Sequence, residues 1–207
     1  MTAPATSFRP FEPGTTGWTV DDLNDPEIER LWEKGAYEIV EGVLAKMPPA
    51  YFDGSLALNR LRRIVERHLD QSRLPGDFTT EVDLVLAPKR VARVNLMFTT
   101  PADMKRQEAD ATPRRHNLRY GRLRVPPTLI VESLSPGHED HDADTKRQWY
   151  AQARVPNYWL LDGYARSLEC LVLEGDRYRT DQAGRNTDEV RPALFPGLVV
   201  PLASLWA

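Results

Sequence analysis

The chain holds one cysteine, Cys170, and this removes two kinds of chemistry. No intramolecular disulfide can form, and a zinc site built on cysteines is excluded. Cys170 lies in the strand-like run 168–173 and is expected as a small core residue. Long apolar runs are missing as well. Nothing reaches the ~18 residues that a membrane-crossing helix needs. The N-terminus has no basic segment followed by an apolar one, so no secretory signal is expected and the chain reads as cytoplasmic, with no membrane partner. Charge of one sign is also lacking: 27 Lys and Arg stand against 30 Asp and Glu, for a net charge of −3. No global field draws the protein toward nucleic acid, and any such surface has to be local. A glycine-rich phosphate loop and a Gly-x-Ser-x-Gly elbow are both absent, which argues against nucleotide-dependent chemistry and serine hydrolysis. No internal repeat is visible.

What is present suits one domain with a real core. Residues 1–17, rich in Pro, Thr, Ala and Gly, show no periodicity and are expected as a flexible leader, with 18–207 as a single domain. Thr19, Asp21 and Asp22 can cap a short helix that runs to about Trp32, with Pro26 near its start or splitting it into two turns. The run 37–47 alternates about Gly42 as a β-hairpin. The run 54–71 is an amphipathic helix, with Arg60, Arg62, Arg63 and Arg67 on its polar surface. Those arginines read either as a solvated face or as phosphate contacts, with Arg60 and Arg63 the candidates for nucleic-acid binding. Strands are expected over 78–86 and 93–98. The segment 100–124 is the most basic of the chain, and Arg115 and Arg119 are its candidate nucleic-acid contacts, although a solvated excursion fits it equally. A hairpin about Gly175, a polar loop over 181–188 and an apolar closing segment follow.

The most informative stretch is 126–162. An apolar run, Thr128 to Val131, reads as a buried strand, and Glu132 stands where that strand leaves the core. A polar loop and a helix-like pattern over 144–154 lead to a second strand, Tyr158 to Leu161. Such strand–helix–strand units place ligands at the carboxyl ends of their strands. Asp142, Lys146 and Tyr150 are spaced by four and share one face if the helix begins early enough. A carboxylate, an ammonium and a phenol at one spot suit phosphate polarisation and water activation, commonly with a metal. The same residues also fit a solvated strand-end glutamate and an ordinary surface pair. His138 and His141 follow a Pro-Gly breaker and lack a third ligand word, so they read as solvated loop.

The words YEIVEG, IVESLSP, a following D…K…Y, VPNYWLLD and FPGL occur in that order between Tyr37 and Trp206. Together they resemble the Uma-type family of restriction-endonuclease-like proteins, within the PD-(D/E)XK nuclease superfamily. The resemblance implies an α/β fold with a mixed central β-sheet, flanking helices and extra antiparallel hairpins. It implies hydrolysis of nucleic-acid phosphodiesters, DNA foremost, with Mg²⁺ or Mn²⁺ as cofactor. Glu132 would be the principal metal ligand and Glu41 a third acid. Lys146 would take the part of the lysine that the superfamily carries two residues beyond the acid, where this chain has Leu134. Tyr150 would bond a phosphate or pack. The family has Pro-Asp where this chain has Val94-Asn95, so Asn95 would be a weakened second ligand, with Glu81 or Asp83 as compensating acids. The alternative is a catalytically inactive nuclease-fold binding or assembly module. A homodimer formed through the hairpins is a further expectation.

Overall fold

The computed structural model describes residues 9–48, 51–110, 122–134 and 139–207, with 139–143 described by their backbone alone. Its α/β architecture is a mixed sheet with helices on both faces. The strands of this sheet are β1 (Tyr37–Val40), β2 (Val43–Lys46), β3 (Asp77–Ala87), β4 (Arg90–Thr99), β5 (Leu129–Leu134), β6 (Asn157–Asp162), β7 (Ser167–Glu174) and β8 (Arg177–Arg185), and a small second sheet pairs β9 (Glu189–Val190) with β10 (Val200–Pro201). They run in the order β2-β1-β4-β5-β6-β7-β8, with β3 paired along β4. Among the strands described, β5 and β6 pair in parallel, as the crossover between them requires. The hairpin β1–β2 turns at Glu41 and Gly42, both at positive φ, which matches the twist of a two-residue turn.

The helices are α1 (Pro26–Glu33), α2 (Phe52–Ser72), α3 (Pro101–Ala109), α4 (Glu139–Gln152) and α5 (Ala203–Trp206). Pro26 does split the first helical segment, leaving a 3-10 turn at Asp22–Asn24; Asp25 rather than an earlier residue caps α1, accepting from the Glu27 and Ile28 amides. One sheet face is covered by α2, through Ala57, Leu61, Val65 and Leu69 at helical spacing, together with the C-terminal segment. The other is covered by the helix α4, whose Tyr150 packs with Ile130, Tyr158 and Leu160. A third cluster joins Trp18, Leu23 and Trp32 to the outer hairpin. Among the described residues no helix is long and apolar enough to cross a membrane.

Three expectations need correction. Part of the segment read as a leader is built into the fold: Thr16 bridges to Val43, the Gly14 amide donates to Leu44, and Phe11 packs on Trp18 and Tyr37. Residues 181–185, read as loop, extend β8; the strand lies at the sheet edge with polar residues on both faces, so it carries no alternation to read. The helix read over 144–154 begins at Glu139, early enough to place residue 142 in it.

Strand β3 and its partner β4 change sides midway. Phe78, Leu96 and Phe98 join the α2-side core, whereas Val82, Leu84, Ala92 and Val94 join the α4-side core. Residues 94 and 96 of a regular strand share a face. The change falls at Glu81, which has φ of 54°, opposite Asn95.

The entry into β5 is fixed by α3. Its capping box pairs Thr100 and Asp103, and the Asp103 carboxylate also accepts from the Thr128 amide (3.1 Å) and hydroxyl (2.6 Å) and from Arg106. Gln107 accepts from the Arg124 and Val125 amides. Burial alone would raise the Asp103 carboxyl; the Thr100 amide and the other donors outweigh it and hold the group below its ordinary value. A depressed carboxyl stabilises the fold above its unfolded pKa, and that contribution is lost as pH falls through the folded value. Asp103→Ala is therefore expected to cost about 2–3 kcal/mol at neutral pH. The difference from the parent should shrink toward about pH 3, as urea unfolding at several pH values will read.

Candidate active site

The site arises from how three strands share β4. Its whole length pairs with β3 on one edge. The other edge is divided: β1 pairs at Ile39↔Val91, and β5 pairs from Leu96↔Val131 to Phe98↔Leu129. Both run antiparallel to β4, so the start of β1 and the end of β5 approach each other across 92–95, where that edge has no strand partner among the described residues. Side chains take over the unpaired groups. Glu38 Oε1 accepts from the Arg93 amide at 3.0 Å, and Asn95 Oδ1 accepts from the Ser133 amide at 3.0 Å, continuing the ladder where backbone pairing stops.

Glu38 and Glu132 therefore flank this gap, both buried. Lys146 on α4 reaches into it with its ammonium 3.0 Å from Glu38 Oε1 and 3.4 Å from Glu132 Oε1. One turn on, the Tyr150 phenol donates to Glu132 Oε1 at 2.5 Å. Glu132 is 4 % and Lys146 8 % exposed. Burial pushes the Glu38 carboxyl up; the Lys146 charge opposes this and the Glu132 charge adds to it. Burial, with the Glu132 charge second, also pushes the Tyr150 phenol well up, so it stays a donor. The cluster is two carboxyl groups, one ammonium and one fully buried phenol, all of low exposure.

Glu132, Lys146 and Tyr150 thus converge as their spacing suggested, and Asn95 lies beside them, bonded to the residue after Glu132. Glu41 is elsewhere: it sits at the hairpin turn, paired with Arg90 at 2.6 Å. The acid that joins the cluster is Glu38, three residues earlier in the same YEIVEG word. Asp83 is committed to Arg93 and the Trp32 indole (3.1 and 2.6 Å), whereas Glu81 faces Asn95, whose Nδ2 lies 3.5 Å away. Arg60 and Arg63 lie on α2, across the sheet from the cluster. Arg115 and Arg119 lie outside the described residues, as do His138 and the side chains of His141 and Asp142. Of the basic residues flanking that segment, Arg122 is largely buried and held by Glu29 and Asp83, and Arg106 is exposed and paired with Asp103.

Among the described residues no three of His, Cys, Asp and Glu group as metal ligands. Mg²⁺ asks for less: one or two carboxylates, with waters and substrate phosphate completing its shell. Glu38 and Glu132 share one ammonium between them and meet that demand, so the donor set fits a hard divalent cation. Asn95 Oδ1 could add a neutral oxygen, although it is engaged by the Ser133 amide.

A family model described as Uma2, putative restriction endonuclease, matches residues 25–203. A crystal structure described as a putative nuclease belonging to DUF820, from Anabaena variabilis, superposes with a TM-score of 0.67 at 15 % identity, covering 92 % of this chain and 98 % of that one. At that identity the likeness concerns the fold. No curated protein matches the chain.

Proposed function

Since the chain belongs to the Uma2 family, described as putative restriction endonucleases, we propose that it is a divalent-metal-dependent endonuclease acting on nucleic-acid phosphodiesters. The observation that carries this reading is the convergence of Glu132, Glu38, Lys146 and Tyr150 on the gap between β1 and β5. Glu132 and Glu38 are the residues to hold Mg²⁺ or Mn²⁺. Bound there, such a cation supplies charge neutralisation at the phosphate and an acidified water. Hydrolysis adds a water oxygen at phosphorus and breaks one ester P–O bond, and the departing oxygen takes up a proton.

Lys146 contributes a positive charge on a long stem, able to turn from the carboxylates to a non-bridging phosphate oxygen as substrate enters. Tyr150, kept protonated by burial, holds Glu132 in one orientation throughout. The low exposure of the cluster strengthens each of these charges toward the phosphate. The test is cleavage of single- and double-stranded DNA and RNA with Mg²⁺ or Mn²⁺, against EDTA and against Glu132→Gln. Metal-dependent cleavage that disappears in the folded variant is the expected result; cleavage indifferent to Glu132→Gln refutes the assignment.

One observation favours a second reading. The oxygen at position 95 belongs to a neutral amide that already accepts the Ser133 N–H. A nuclease-fold binding module would then bind nucleic acid and leave it intact in every metal.

A further inference from the structure

Two features outside the cluster lie along α2, one of them shared with the β6–β7 turn. At the start of α2, Tyr51 and Phe52 are 55 % and 78 % exposed, and Tyr164 is 84 % exposed. These aromatics flank a tight backbone contact: a Cβ on Gly163 would meet Gly54 Cα at 3.3 Å, and one on Gly54 would meet Ser133 Oγ at 3.0 Å. The Asp162 carboxylate accepts from the Tyr164 and Ala165 amides at 2.9 and 2.7 Å, so the backbone is clamped while the ring stands in solvent. Ser133 directly follows Glu132, which puts these rings beside the strand ends that carry the proposed active site.

Further along, α2 and the C-terminal segment form a groove of about 630 Å³ lined by Arg60, Arg63, Arg67 and His68. Arg60 is steadied by the Leu205 carbonyl at 3.0 Å, and Arg62, outside the groove, is paired with Glu66. Arg63 and Arg67 have no acidic partner among the described residues, and His68 Nε2 is buried without a hydrogen bond. Phe52, Asn59, Arg63 and Arg67 follow helical spacing and are all exposed. Over 52–67 that stripe is about 22 Å long.

We propose that α2 is a track for unpaired nucleic acid, whose bases stack on Phe52 and Tyr164 and whose backbone lies along Arg60, Arg63 and Arg67. Stacking on exposed rings needs bases free of a duplex, and arginines spaced along a groove need no sequence. With a net charge of −3 any attraction has to be local, and this stripe supplies it on α2. The inference rests on the nuclease reading for its substrate class, and it adds that the substrate is single-stranded where it meets the enzyme.

The test is fluorescence anisotropy in EDTA with a labelled single-stranded 12-mer, its duplex and an abasic strand of equal length. The full chain is compared with the Phe52→Ala/Tyr164→Ala, Phe52→Trp/Tyr164→Trp and Arg63→Glu/Arg67→Glu variants. Single strand is expected to bind about tenfold or more tighter than duplex. The alanine pair should lose about tenfold on the base-bearing strand and little on the abasic one, with the tryptophan pair retaining affinity. The arginine reversal should weaken both strands and flatten the salt dependence. Equal binding of duplex and single strand, an alanine pair without effect, or no binding by the parent chain overturns the track. If the binding pattern appears but no metal supports cleavage, the nuclease reading falls and the track stands; cleavage indifferent to the aromatics gives the converse.

Discussion

Lys146→Met is expected to cost the fold about 4 kcal/mol at neutral pH, lowering the melting temperature by roughly 10 °C. Methionine keeps much of the volume, so packing is not the cause. Lys146 is the one cation shown between Glu38 and Glu132, and removing it leaves two buried carboxylates without a counter-charge. Breaking a buried ion pair by deleting one partner costs more than the pair contributes, because the survivor is stranded away from water.

The pH dependence has a definite sign. The Glu38 carboxyl is already raised by burial and would rise further without the ammonium. A carboxyl raised in the folded state favours the fold below its unfolded pKa, and that advantage is lost as pH rises through the folded value. The variant should therefore approach the parent on acidification, and Mg²⁺ should stabilise it more than it stabilises the parent. Urea unfolding at neutral and mildly acid pH, with and without Mg²⁺, reads all three effects. A loss below about 1 kcal/mol with no pH dependence means that the ammonium is not needed there.

Asn95→Asp is expected to raise affinity for Mg²⁺ on the order of ten- to a hundredfold. An aspartate can keep accepting the Ser133 amide with one oxygen, because that bond uses Oδ1 and not the amide nitrogen. Its second oxygen then replaces the Nδ2 group that faces Glu81 and adds negative charge beside Glu132. The same charge makes the variant less stable without metal, since the contact with Glu81 turns from a long hydrogen bond into repulsion. Calorimetric titration with Mg²⁺ and Mn²⁺, paired with melts in EDTA, checks both halves. Higher affinity with new cleavage identifies the parent as a disarmed nuclease. Unchanged affinity places position 95 in the strand ladder alone, with no part in holding metal.

Local signals in the sequence went far because most of the site is local. Glu132, Lys146 and Tyr150 lie within one strand–helix–strand unit, where strand ends and four-residue spacing already determine which side chains can meet. Glu38 was invisible for the opposite reason. In its hairpin it is an ordinary alternating residue, and only the pairing of β1 with β4, between residues 39 and 91, brings it to the gap. Glu41, the acid of the same hairpin that the resemblance offers, stands at the exposed turn, where Arg90 holds it aside. The true extent of β8 escaped because an edge strand with polar residues on both faces leaves no period to detect. The attachment of residues 9–17 has no period to detect, because it runs through two backbone bonds to Leu44 and the Phe11 ring on Trp18 and Tyr37.

The change of sides in β3 and β4 reaches beyond geometry. A sheet whose strands each serve one face in register could, in principle, lose one layer and keep the other. Here β4 supplies Leu96 and Phe98 to one core and Ala92 and Val94 to the other, and the crossing point is Asn95. Neither layer can be peeled away without pulling on its neighbour, so the two faces should melt as one cooperative unit. Amide exchange from β4 would then report a single opening energy along its length, and the candidate active site would sit on the last part of the molecule to open.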